Sequence, residues 1–349
     1  MHCQTNRVAH PGCNGLGCSS VRVDDMGAGA SRYKSVEDAV GCGIPHTDID
    51  NYLAQDCEAE LASINRCFGQ DVHLPSSATA CGRAAQKTIE QLGFDPSKVL
   101  YCNSTGRDEL AREHQWWRYL EGVSQESDHE TRNLIFNMGG LGGVLAAGKT
   151  GLQACSTHAI ESGGCIFMFC ASHVGVDADG TVGKMLHENM KKPSPCCNSS
   201  DLALKWARKA AGGKNVVSDD PDDYQMDQLK TIVADSLTRI DLAAQEEKGS
   251  AAEMAEVVYE AIHRKIVQLV PDHLAHSVPV VLCGGIQIHT NPGKPDFFAP
   301  RHFEIYSPGS NPPNDAMAAY RANLKTLILF QTELTAAADR LAAVENGAK

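Results

Sequence analysis

The sequence predicts an α/β fold with a mostly parallel β-sheet flanked by helices. Two observations carry that expectation. Short apolar runs, "KVLYCNST" (98–105), "NLIFNM" (133–138), "CIFMFCAS" (165–172) and "VPVVLCGG" (278–285), have the length of strands. Longer stretches with apolar residues at helical spacing separate them, so strand and helix alternate along the chain. That alternation argues for a mostly parallel sheet covered by helices on both faces.

The elements follow in order. Residues 1–30 are rich in Gly, lack lasting periodicity and read as a flexible tail ahead of a single domain over 31–349. The tail has no apolar leader segment and is poor in Ser and Arg, so it carries no convincing targeting peptide. Amphipathic helices are expected over 51–68 and 79–94, the second closing at Gly93. After the strand at 98–105 comes a helix over 107–122, where Trp116 and Trp117 suit packing at a domain or dimer surface or, equally, ordinary core packing. Beyond the third strand lie a helix over 200–212 and a long helical pair over about 222–270, the latter without recognisable chemistry. The strand "VPVVLCGGIQIH" (278–289), a Pro-rich loop containing "FAPRHFEIYSP" (298–308) and a last helix over 314–345 complete the chain. "SDDPDDY" (218–224) is the best hinge, but the strand beyond it rejoins the same sheet, and no internal repeat is evident.

Composition excludes several functions. With a net charge of −12 and no Lys/Arg-rich block, the chain lacks the electrostatic footprint of a nucleic-acid binder. No apolar run is long enough to span a bilayer. Fourteen cysteines in 349 residues are too sparse for a disulfide scaffold, and several sit inside apolar strands, as reduced, buried thiols do.

"GVLAAGKT" (Gly143 to Thr150) matches the phosphate-loop pattern Gly-x4-Gly-Lys-Thr, with Lys149 as its cation. A true phosphate loop follows a strand, opens a helix and pairs with an acidic residue at another strand's end. Here a strand precedes, but the following helix looks weak, since Gly151 interrupts it and "ESGG" soon begins the next strand. The other strands end in Ser-His and Gly-Gly in place of Asp. Glycines that permit close backbone approach explain the match better.

In a parallel sheet, ligands bind beyond the carboxyl ends of the strands. Gly106, Arg107, Asp108 and Glu109 follow the first strand, His173 follows "CIFMFCAS", and Cys196 and Cys197 precede the helix starting near Asp201. A thiol at a helix N-terminus is biased toward thiolate, and imidazole with thiolate is a zinc-type ligand pair.

The segments "NSTGRDEL", "FNMGGLGGVLAAGKTG", "SHVGVDADGTVGKML", "KPSPCCNSS" and "LCGGIQIHT", followed by "DFFAPRHFEIYSP", resemble in that order the limiting-CO2-inducible B/C proteins of algae, over about residues 35–310. The resemblance implies a β-carbonic-anhydrase-like fold, a homodimer or a hetero-oligomer with a related subunit, CO2 and bicarbonate as substrates, and Zn2+ held by Cys, His and Cys. It also implies service in inorganic-carbon concentration in the chloroplast, with the cytoplasm as the alternative. The "GKTG" segment then belongs to a loop beside the active site.

Carried over by position, the resemblance assigns His173 and Cys197 to the metal. Arg107 and Asp108 match the Arg-Asp of the family's Cys-Arg-Asp-Glu motif, with Asp108 orienting the metal-bound water and Arg107 keeping it ionised. The motif's cysteine is replaced by Gly106, which cannot bind a metal. Substitutes are Cys196, Asp108, a second water, or Cys102, the last about 13 Å back along an extended strand. His158 is a candidate proton relay. Three outcomes stay open: a zinc-dependent carbonic anhydrase, a metal-free partner of an active relative, or a site turned to another small substrate.

Overall fold

Two ten-residue strands, β4 (Ile166–Gly175) and β7 (Val280–His289), pair in parallel over their full length and form the spine of the sheet. Every position of both is buried, which is why neither shows polar alternation. The computed structural model describes residues 57–69, 75–106, 135–162, 164–187, 190–212, 222–292, 294, 296–309 and 312–327. These fall within the compact unit Ser35–Lys349; the unit Met1–Lys34 lies outside the described residues. So do the tail expected over 1–30, the helix over 107–122 with Trp116 and Trp117, and the last part of the C-terminal helix.

On one side of β4 lie β2 (Leu100–Ser104) and then β3 (Phe136–Asn137), both parallel to their neighbours. On the other side of β7, β8 (Phe297–Tyr306) runs antiparallel and carries β1 (Ser76–Ser77) and β9 (Asn314–Asp315). The sheet is therefore mixed, with a parallel centre. β8 occupies residues expected to form a Pro-rich loop. The pairing register of β7 and β8 shifts between Gly284 and Gly285, a bulge beside Pro300 that absorbs the missing N–H.

The helices are α1 (Glu58–Phe68), α2 (Ala78–Gln91), α3 (Gly148–Ser162), α4 (Asn198–Ala211), α5 (Tyr224–Asp235), α6 (Leu237–Ala243), α7 (Gly249–His273) and a helical run over 317–327. Ser77 caps α2 by accepting the Ala80 N–H at 3.3 Å, and the chain leaves α2 at Gly93, whose φ of 87° suits glycine, as its position in the sequence predicts. Ile166, Met168, Cys170 and Leu282 project into a core shared with α3, α4, α5 and α7. Phe167, Phe169, Val281 and Cys283 project the opposite way, against α2 and the 317–327 run. Each fully buried Phe contributes about 2 to 3 kcal/mol by area removed from water.

The pairing with β7 has a local consequence. His173, expected just past a strand end, lies within β4, because β7 continues to pair with it as far as His289.

Candidate metal centre

A short antiparallel pair, β5 (Lys184–Met185) and β6 (Ser194–Pro195), returns the chain to the end of β4 and delivers Cys196 and Cys197 there. The Cys196 N–H donates to the Gly183 carbonyl at 3.1 Å, and the Gly183 N–H to that of Gly175 at 2.8 Å. A Cβ on Gly175 would lie 2.8 Å from Cβ of Cys196, so glycine is what lets the two segments close. Cys197 then serves as N-cap of α4.

The imidazole of His173 faces the thiols of both Cys196 and Cys197, and both act on its charge. The Cys197 sulfur also lies 3.1 Å from the Ser200 hydroxyl. Burial by itself would press the His173 pKa down and push the Cys197 thiol up. Their mutual attraction and hydrogen bonds outweigh burial, so His173 sits well above its ordinary value and Cys197 below its own. The N-terminus of α4 favours the thiolate further. The pair thus shifts toward imidazolium and thiolate, and a divalent ion would compete with the proton for the same donors. On donor chemistry the residues fit zinc.

Around them is a cavity of about 180 Å³ between β4, α4 and α7. Val174, Leu204, Met254, Ala255 and Val258 make its walls largely apolar. The Ser172 hydroxyl, also lining it, donates to the Ala255 carbonyl at 2.7 Å and ties α7 to the strand. The region over 222–270, which shows no chemistry as sequence, therefore supplies one wall. Sequence reasoning also missed His289, whose ring stands 5.6 Å from that of His173 at 84°, with Nδ1 3.2 Å from the Asp296 carboxylate. Its signal was the place of "IQIHT" at the end of the strand adjoining β4.

Residues 77–307 match the family model described as limiting CO2-inducible proteins B/C beta carbonic anhydrases. The chain belongs to this family. Three solved structures share the fold of this B/C-family chain. PtLCIB4, a homolog of the limiting CO2-inducible protein LCIB, is 23% identical with a TM-score of 0.60, covering 73% of this chain and 98% of its own. A histidine-to-alanine mutant of PtLCIB4 is 24% identical with a TM-score of 0.62, over 74% and 99%. LCIB itself is 17% identical with a TM-score of 0.51, over 74% and 98%. No curated protein matches the chain.

As a B/C-family site, the cavity departs from the expected ligand set in definite ways. Gly106, in place of the motif cysteine, is buried just past β2, and Arg107 and Asp108 lie outside the described residues. Cys102 does not turn toward the cavity: its sulfur lies 3.0 Å from that of Cys155 in the core, where burial first and Cys155 second push its pKa well up. Cys196, by contrast, is at the His173 ring. The three donors of His173, Cys196 and Cys197 are not all mutually close, since among the described residues the group of three with donor atoms within 4.8 Å of one another is His263, His302 and Glu304. His158 is exposed on α3, its ring 5.3 Å from Phe136, and does not line the cavity.

The phosphate-loop match needs correction in one respect and holds in another. The helix judged weak is real: α3 begins at Gly148 and runs fifteen residues, so "GKTG" opens a helix and is not itself a loop. The turn ahead of the helix is closed on its own carbonyls. Gly143 donates to Gly140, Val144 to Leu141, and Ala146 and Ala147 to Met138, at 2.8 to 3.3 Å. A Cβ on Gly143 would meet the Ala171 carbonyl at 2.2 Å, so the glycine serves close packing of the loop on β4.

Proposed function

We propose that this protein is a zinc-dependent, carbonic-anhydrase-like protein that interconverts CO2 plus water with bicarbonate plus a proton. The meeting of His173 with Cys196 and Cys197 at the mouth of a small, largely apolar cavity carries this reading. His173 and Cys197 would hold the ion, with Cys196 or Asp108 in the place left by Gly106. Zinc bound there supplies the Lewis acidity that ionises water near neutral pH. The apolar walls admit CO2 and keep bulk water out. His289, backed by Asp296, holds the His173 ring in its orientation. Arg107 keeps Asp108 ionised as the group that orients the attacking water. A homodimer or a hetero-oligomer with a related subunit, and a chloroplast or, alternatively, cytoplasmic location, belong to the same reading.

Gly106 favours a second reading, a metal-free partner of an active relative, because it removes one donor outright. Metal analysis of the pure full-length chain with stopped-flow CO2 hydration decides between them. The first reading expects about one zinc lost in His173→Ala, with a hydration rate above buffer that falls with it. Absence of zinc and of any rate above buffer leaves the second.

A further inference from the structure

A second cluster of donors lies elsewhere on α7 and β8, and none of its members lines the cavity around His173. His263, His302 and Glu304 each present a donor atom within 4.8 Å of the other two. Nε2 of His263 lies 3.1 and 3.2 Å from the two Glu304 carboxylate oxygens. The His263 and His302 rings stack with centroids 3.7 Å apart and planes 10° from parallel. His263 and Glu304 keep 19% and 15% of their side-chain surface, so the cluster is open to ions from solvent.

Its surroundings hold the donors in place. The Tyr259 hydroxyl lies 2.7 Å from Nδ1 of His302, and the Tyr306 hydroxyl donates to the Glu304 carboxylate at 2.8 Å. Tyr259 and His263 stand one turn apart on α7. Hydrogen bonds of this kind, here to His302 and to Glu304, orient metal ligands. By register, Cys170 is opposite Gly284 and Gly284 opposite His302. His173 is three residues farther along β4, at least roughly 10 Å away at the rise of a strand.

We propose that His263, His302 and Glu304 form a second site, for a divalent transition ion such as zinc or cobalt, independent of the His173 cavity. Two imidazoles and a carboxylate, with a position open to water, are a zinc-type set without sulfur. The ion takes the place of the hydrogen bond between His263 and Glu304, and the two stacked rings turn apart to present one nitrogen each. Bound there, it clamps α7 to β8, and α7 carries Met254, Ala255 and Val258 into the cavity wall.

Cobalt titration of the full chain tests this, because cobalt held by thiolate shows a sulfur-to-metal charge-transfer band that cobalt held by imidazole and carboxylate lacks. The double variant His173→Ala/Cys197→Ser is expected to bind one equivalent of cobalt without that band. His302→Gln and Glu304→Gln, each made singly in the otherwise unaltered chain and checked by circular dichroism, should each remove one equivalent and leave any charge-transfer band intact. The proposal is overturned if the double variant, folded, binds no cobalt, or if both single variants keep the full complement. A charge-transfer band missing from the unaltered chain would count against the His173 centre alone.

Discussion

The His173 ring on a central strand and the Cys197 thiol at the N-cap of α4 attract each other, which draws the His173 pKa up and the Cys197 pKa down. A group whose pKa rises on folding stabilises the fold toward lower pH, and one whose pKa falls on folding stabilises it toward higher pH, so the two shifts oppose each other in the slope of stability with pH. The attraction of Cys197 is what draws the His173 pKa up against burial. In metal-free Cys197→Ser, His173 should therefore titrate lower than in the unaltered chain, read from its ring protons by NMR. An unchanged titration would refute the coupling.

Thiol reactivity should single out the same residue. Burial pushes the thiols of Cys81 and Cys165 up to about 12, and those of Cys102, Cys170 and Cys283 well above their ordinary value. Cys197 alone among these lines the cavity with a lowered pKa. Iodoacetamide followed by peptide mapping should find Cys197 alkylated well before those five in native protein, with zinc protecting it and His173→Ala slowing it.

Much of this was legible in the chain. The parallel centre of the sheet followed from apolar runs such as "CIFMFCAS", because a strand covered on both faces cannot hide its composition. β8 was not legible: Pro300 reads as a strand breaker, and only the bulge opposite, at Gly284 and Gly285, makes it tolerable. The pairing of His173 with Cys197 could be expected from a family resemblance and a helix start. That Cys196 joins them while Cys102 turns to Cys155 depends on which way side chains face, and a slip of one residue reverses that. The cluster on α7 and β8 was hidden for a plainer reason, since His263 and Glu304 lie 41 positions apart in the sequence on elements not read as neighbours.

Cys102 and Cys196 give opposite predictions for the metal. Cys102→Ala removes a fully buried side chain from the core and should cost about 1 to 3 kcal/mol, read by chemical denaturation, with zinc content unchanged. Cys196→Ser should leave stability nearly as it is and lower zinc affinity at least tenfold, measured by competition with a chelator. If Cys102→Ala loses the zinc and Cys196→Ser keeps it, the third ligand has been assigned to the wrong strand.

Gly143 and Lys149, both part of the "GKT" pattern, separate packing from nucleotide binding. Gly143 has a φ of 85°, and a methyl group there would run into the Ala171 carbonyl of β4. Backbone strain and a forced shift of a central strand together should make Gly143→Ala unstable by about 2 to 4 kcal/mol. Lys149 is exposed on the first turn of α3, so Lys149→Ala should change neither the melting temperature nor the metal content. Because the N–H groups of Gly143, Val144, Ala146 and Ala147 already donate to protein carbonyls, calorimetry with Mg-ATP should register no binding heat for the unaltered chain. Measurable heat that disappears in Lys149→Ala would mean those hydrogen bonds open to admit a phosphate, and the loop would have to be reassigned.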